Sequence, residues 1–187
     1  PPTDEALRDE FRRAWSPECF LSREHEEARF AAGQRALAQF RIQQLAQPAP
    51  GAAIERPCEF ELAGVRIRGR MDRLDRDDAG AVIVDYKSSD VRDQRRADEK
   101  ARESLQLQVY ALAHQAQSGV LPHAMRLHYL DSGLVGETTP DQARLERART
   151  QVSAAVAGIA AQSFPAKPNP VACGYCPFRQ LCVYSAA

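Results

Sequence analysis

Two aspartates, one lysine and a short run of cysteines carry most of the chemistry this sequence offers. Asp85-Tyr-Lys87 closes the apolar run Ala81-Val-Ile-Val84, and Asp72 ends Gly69-Arg-Met-Asp72 upstream of it. Between them Asp77-Asp78-Ala79-Gly80 is a turn signal. With the turn centred between Asp78 and Ala79, positions whose numbers share one sum face each other in an antiparallel hairpin, and Asp72 then falls opposite Asp85. Like charges directly opposite destabilise a sheet, and a carboxylate on an otherwise apolar strand also loses hydration. A hard divalent cation, Mg²⁺ or Mn²⁺, prefers oxygen ligands and would offset that repulsion. Lys87 lies two residues beyond Asp85 and projects from the same strand face, which puts its ammonium near such a cation. The plainer reading is a pair of separate surface carboxylates, each salt-bridged to Arg or Lys, with a bulge shifting the register.

Cys173-Gly-Tyr-Cys176-Pro-Phe-Arg-Gln-Leu-Cys182 gathers three of the five cysteines near the end of the sequence. An odd count and this clustering favour a metal site over a disulfide framework. Three ligands call for a fourth, with Cys19 and Cys58 as candidates. Cys58, in the apparent strand Cys58-Glu-Phe-Glu-Leu62, reads as a buried free thiol. Four thiolates suit zinc or an iron–sulfur cluster, and unligated thiols are the remaining option.

These residues need elements to position them. Thr3 to Trp15 has helical composition, and a longer helix from Ser22 to about Leu45 starts with Ser22 as cap and acidic residues behind it. Pro48, Pro50 and Gly51 end that pattern. Ile54 to Leu62 reads as extended. Val65, Ile67, Gly69 and Met71 then alternate with Arg66, Arg68, Arg70 and Asp72, the period of a strand with one polar face. Ala81 to Tyr86, apolar on both faces, predicts a central strand. A polar stretch from Ser88 to about Asp98 precedes a helix from about Glu99 to Gln117, on which Gln106 and Tyr110 share a face. Met125 to Leu130 and Leu134 to Thr138 flank Asp131-Ser-Gly133 as a second hairpin. A last helix runs from about Pro140 to Ala161, with Pro140 at its first position. Phe164 to Pro170 is too proline-rich for a regular element.

The composition of the 187 residues sets bounds. At 44% hydrophobic and 27% charged, the chain has a globular make-up, and no apolar run approaches the ~20 residues of a membrane span. Its 25 basic and 25 acidic residues cancel, so the totals are not those of a globally basic nucleic-acid binder. The basic set is 22 Arg against three Lys, Lys87, Lys100 and Lys167. Arg is poorly suited to proton chemistry, so each lysine invites a question. The sequence opens without Met and without a secretory signal, which predicts a fragment of a longer chain and a cytoplasmic location.

Taken together, Asp72, Asp85-x-Lys87 and Gln106-x-x-x-Tyr110 resemble the active-site motifs of RecB-like nucleases in the PD-(D/E)XK superfamily. The likeness runs from the helix around Gly33 to the C-terminal cysteines. It implies an α/β fold of restriction-endonuclease type, with a central mixed sheet, an antiparallel active-site hairpin, flanking helices and a Cys-rich tail. Residues 1–187 would form one nuclease domain, with 163–187 as the metal-binding tail. The resemblance implies that Asp72 and Asp85 are metal ligands, that Lys87 orients or activates the attacking water, and that Gln106 and Tyr110 support the site and the DNA backbone. Members with an iron–sulfur cluster join one upstream cysteine to three near the C-terminus. By that layout Cys19, Cys173, Cys176 and Cys182 would hold [4Fe-4S], with Zn²⁺ as the alternative.

One departure stands out. Many members carry a His a few residues after a Gly on the helix before the hairpin. Here Gly33 is followed by Gln34-Arg-Ala-Leu37, and His25 lies on the other side of Gly33.

Two groups of basic residues suggest DNA contacts: Arg66, Arg68, Arg70, Arg73 and Arg76 near the hairpin, and Arg92, Arg95, Arg96, Lys100 and Arg102 after Lys87. The second group is interspersed with acids and reads equally as a solvated helix face. The resemblance implies a metal-dependent DNA exonuclease or endonuclease domain, linked in chain or complex to a superfamily 1 helicase of the UvrD/Rep or RecB/AddB type in recombination and repair. Single-stranded DNA is the expected substrate. With no Walker A pattern, this sequence is not itself the motor. The alternative is a catalytically weak nuclease-like module that binds DNA or docks the helicase.

Overall fold

The computed structural model describes residues 2–20 and 22–186, apart from the side chain of Cys19. Five strands form one mixed sheet in sequence order: β1 Ala53–Leu62, β2 Val65–Asp77, β3 Gly80–Lys87, β4 Ala124–Tyr129 and β5 Val135–Thr138. All neighbours are antiparallel except β3 and β4, which run parallel. A parallel pair needs a crossover, and two helices supply it: α3 Gln94–Glu103 and α4 Leu105–Ser118. This is the α/β sheet with an antiparallel hairpin and flanking helices that the sequence predicts.

Odd-numbered Ile83, Met125 and Leu127 face α3, α4 and α5 (Gln142–Ala160), where Leu107, Leu112 and Leu145 complete the main core. Val82, Val84 and Ala124 form a smaller cluster with Tyr86 on the opposite face. That face is covered by α2 (Arg23–Ala46), whose Phe40 packs edge-on against Tyr86 at 5.5 Å between ring centres. The preceding α1 (Asp4–Ala14) lies on α2, with the Phe11 ring where a Cβ at Gly33 would stand.

Local sequence explains most of the boundaries. Thr3, Ser22, Asp93 and Asn169 each cap a helix by accepting a backbone N–H with a side-chain oxygen, worth about 1 kcal/mol apiece. Three expectations need correction. The single helix from Glu99 to Gln117 is two helices, because Ser104 leaves helical geometry to accept the N–H of Leu107 with its hydroxyl and so restarts the chain as α4. Pro140 is not a first helical residue: Asp141 caps α5 by accepting the N–H of Arg144. Phe164 to Asn169 is irregular as expected, but Pro170 opens a short helix, α6 (Pro170–Tyr175), that carries Cys173.

Candidate active site

The hairpin register pairs Arg73 with Val84 and continues to Asp77 opposite Gly80, which by extension sets Asp72 against Asp85. Directly opposed residues of an antiparallel ladder share a sheet face, but the upstream alternation of β2, with Ile67 and Met71 toward the main core, would put Asp72 on the other one. Met71 and Leu74 both belong to the main core although three positions apart, so β2 changes face between them. Across the ladder Glu55 has φ 51°, a strained left-handed geometry for a residue with a Cβ, and the pairing of Glu55 with Asp72 is missing from an otherwise continuous register. Asp72 is thereby freed from the ladder, and its Oδ2 accepts the backbone N–H of Tyr86 at 2.9 Å.

Asp85 is almost fully buried, at 1% exposure. Lys87 Nζ lies 2.5 Å from its Oδ2 as a charge contact, yet no well-directed hydrogen bond reaches that oxygen. The ammonium donates instead to Gln106 Oε1 at 2.7 Å. Gln106 Nε2 donates to Tyr110 Oη at 3.1 Å, and Tyr110 Oη donates to the carbonyl of Arg70 at 2.7 Å. A relay thus runs from β3 across α4 to β2, and the break at Ser104 sets its geometry by starting α4 at Leu105, one residue before Gln106. A Cβ at Gly69 would be tight against Cys58 Sγ at 3.3 Å and in ordinary contact with Tyr110 Cε1 at 3.6 Å.

Burial pushes the Asp85 carboxyl above its ordinary range. Lys87 works against that shift, and the charge of Asp72 adds to it. Burial likewise raises Tyr110, with Gln106 opposing and Asp85, Asp72 and Cys58 contributing. A desolvated carboxyl beside a second carboxylate, with one oxygen lacking a hydrogen bond, is a donor set suited to a hard cation such as Mg²⁺ or Mn²⁺. Among the described residues no group of three His, Cys, Asp or Glu converges on one point. Such a cation would therefore rely on water and substrate oxygens for its remaining ligands.

No histidine joins the pair. His25 is exposed and meets the edge of Phe20, His114 bonds the carbonyl of Val120, and His128 bonds Gln43 on the α2 face. Burial and the nearby charge of Arg73 hold His128 below its ordinary value.

The carboxyl end of β3 opens into a cleft of about 330 Å³ lined by Lys87, Ser89, Lys100, Glu103, Ser104, Leu127 and Tyr129. Tyr129 is paired with Lys87 in the parallel ladder, and burial together with the charge of Asp85 raises its hydroxyl. Sequence reading misses Tyr129, because nothing local says that β4 pairs in parallel with β3. Neither this cleft nor the larger ones of about 620 and 550 Å³ along α2 is lined by the aspartate pair itself; the 330 Å³ cleft adjoins it through Lys87.

The hairpin arginines do not surround the site as expected. Arg66 and Arg68 pair with Glu59, and Arg70 with Glu55, on the face opposite Phe60 and Ile67 and hence opposite Asp85. Arg73 is buried against Asp75 at 2.6 Å, and Arg76 lines a cleft on the α2 side. Of the second group, only Lys100 lines the cleft beside Lys87.

Cys58 is a buried free thiol, as predicted, and burial raises its pKa. Cys173, Cys176 and Cys182 are free, and Cys173 is drawn below its ordinary value by the backbone N–H groups of Ala186 and Asn169. The side chain of Cys19 lies outside the described residues.

Among the described residues no helix is long and apolar enough to cross a membrane. The family model of the PD-(D/E)XK nuclease superfamily matches residues 1–183. No curated protein sequence matches significantly. Among solved structures, a protein from Eubacterium rectale named as a candidate exonuclease is 13% identical, with 97% of this chain and 75% of that one covered at a TM-score of 0.56. The crystal structure of SSO0001 is 19% identical over 98% of this chain and 80% of that one, at a TM-score of 0.48. At 13% identity, the likeness to the Eubacterium rectale protein is one of fold.

Proposed function

Because the chain belongs to the PD-(D/E)XK nuclease superfamily, we propose that it is a divalent-metal-dependent DNA nuclease, exonucleolytic on single strands, whose site is built from Asp72, Asp85, Lys87, Gln106 and Tyr110. The observation that carries this reading is the buried Asp85 beside Asp72, with the Lys87 ammonium 2.5 Å away and tethered through Gln106 and Tyr110 to the backbone of Arg70.

Asp72 and Asp85 would hold the cation, which when bound polarises a phosphoryl oxygen and lowers the pKa of a coordinated water. Lys87 supplies a positive donor where charge develops on the phosphate. Gln106 accepts from that ammonium and thereby fixes the direction of its remaining protons. Tyr110 holds Gln106 in place and ties α4 to β2, so the carboxylates and the amine keep one spacing.

The finer parts of the reading rest on sequence. RecB-like motif order supports attachment to, or complex with, a superfamily 1 helicase in recombination and repair. Cysteine spacing supports [4Fe-4S], or zinc, on Cys19, Cys173, Cys176 and Cys182. Anaerobic purification is expected to give a brown protein with broad visible absorption; a colourless one without iron would sink the cluster.

A second reading is favoured by one observation: no third protein donor joins the aspartate pair among the described residues. On that reading the domain binds DNA or docks a helicase and cuts poorly. Digestion of end-labelled single-stranded DNA with Mg²⁺ or Mn²⁺, stopped by EDTA and absent in Asp85→Ala and Lys87→Ala, separates the two. Binding without cleavage in any metal selects the second.

A further inference from the structure

We propose that the cleft beside Lys87 takes a phosphate of the nucleic-acid strand, and that Lys100 is the residue that binds and positions it. This deepens the nuclease reading and rests on it. Lysine is scarce here, three residues against 22 arginines, yet two of the three line one cleft. They come from different elements: Lys87 ends β3 and Lys100 sits in the last turn of α3. Ser104, where the chain turns between α3 and α4, also lines the cleft.

Lys100 is exposed and makes no ion pair among the described residues, whereas Arg66, Arg68, Arg70, Arg73 and Arg92 all do. It is a free cation, held beside the amine that contacts Asp85. The hydroxyls of Ser89 and Ser104 can donate to phosphate oxygens, while Tyr129 and Leu127 form the wall on the sheet side. Glu103 is the one acid of the lining and sets a limit on how far an anion enters. A point charge on a flexible stem suits a strand that must pass, since it grips without fixing one orientation. With Lys87 committed to the aspartate pair and Gln106, Lys100 is the cleft's uncommitted positive charge.

The test is equilibrium binding of a fluorescent single-stranded oligonucleotide in EDTA, across a salt series, with the full chain. Lys100→Met is expected to weaken binding and to lower the slope of log K against log salt by about 0.7, the release of one phosphate contact on a single strand. Lys100→Arg should keep the slope. Lys167→Met, which removes the same charge from the tail, should bind as the parent chain does. In cleavage assays Lys100→Met should raise KM several-fold with kcat nearly unchanged. An unchanged slope in Lys100→Met, or an equal loss in Lys167→Met, overturns the assignment while leaving the nuclease reading intact. A parent chain that binds no DNA overturns both. Thermal unfolding of each variant shows that the fold is kept, which is expected because Lys100 is exposed.

Discussion

The aspartate pair and the cysteine tail are both short motifs with a metal-ligand look, and the fold treats them differently. Asp85 is anchored in the middle strand, backed by Ile83 and Met125 at 0% exposure, and its neighbours are tied by four successive polar contacts to α4 and β2. The tail contributes no buried residue: Tyr175, Leu181 and Val183 are 85–89% exposed, and its described hydrogen bonds are largely local. Packing positions the first group before any ligand arrives. The second would depend on a ligand for its order, because metal-binding free energy becomes folding free energy where no core is present.

That contrast can be broken most directly at the hairpin. Asp85→Asn and Lys87→Ala are each expected to reduce metal-dependent cleavage by about 10²–10³-fold, the scale of losing one preorganised charge at a phosphoryl centre. In EDTA, Asp85→Asn should at the same time raise the denaturation midpoint. The buried carboxyl holds its proton more tightly in the folded than in the unfolded chain, so its ionised form opposes folding at neutral pH. Loss of activity together with a lower midpoint would show that the charge is structural.

The next largest effect tests packing. A Cβ at Gly136 would stand 2.1 Å from the carbonyl oxygen of Ala97, a backbone atom of α3. Gly136→Ala should cost about 3 kcal/mol by urea denaturation, since α3 must move off β5. Tyr110→Phe removes the tether to Arg70 and Gln106. It should cost about 1 kcal/mol in stability and about tenfold in kcat, with DNA affinity kept.

His128 gives a pH signature on the other face of the sheet. Its folded value lies below the ordinary 6.5 because burial and Arg73 disfavour the cation. Between those two values the unfolded chain binds more protons, so stability rises with pH there. It is fully present above about 6.5 and declines as pH falls below, at no more than about 1.4 kcal/mol per pH unit. His128→Gln, which can keep a bond to Gln43, should flatten that decline in denaturation curves taken from pH 7 to 5. The smallest change is expected in the tail. At Gly174 a Cβ meets nothing within 4 Å, so Gly174→Ala should stay within about 0.5 kcal/mol of the parent in metal-free protein. A large loss there would mean that the tail is packed after all.

Local chemistry determined a great deal. The turn Asp77–Gly80 and the apolar run of β3 fix the hairpin register, because a one-residue slip would turn every side chain to the other face, whereas the change of face in β2 between Met71 and Leu74 depends on the break in pairing at Glu55. The Ser22 cap and the Asp131–Gly133 turn are likewise legible, as is the buried Cys58. What the sequence could not decide are the contacts between elements distant along the chain. The parallel pairing of β3 with β4 brings Tyr129 beside Lys87, and the split at Ser104 brings Lys100 and Gln106 to the same end of the sheet. Arg66, Arg68 and Arg70 lie on the wrong face for the site because they alternate with the core-facing Ile67 and Met71, and there they pair with Glu59 and Glu55 on β1. Period and turn chemistry act over a few residues and are written locally; which charges meet depends on how whole elements pack, and only the tertiary structure settles that.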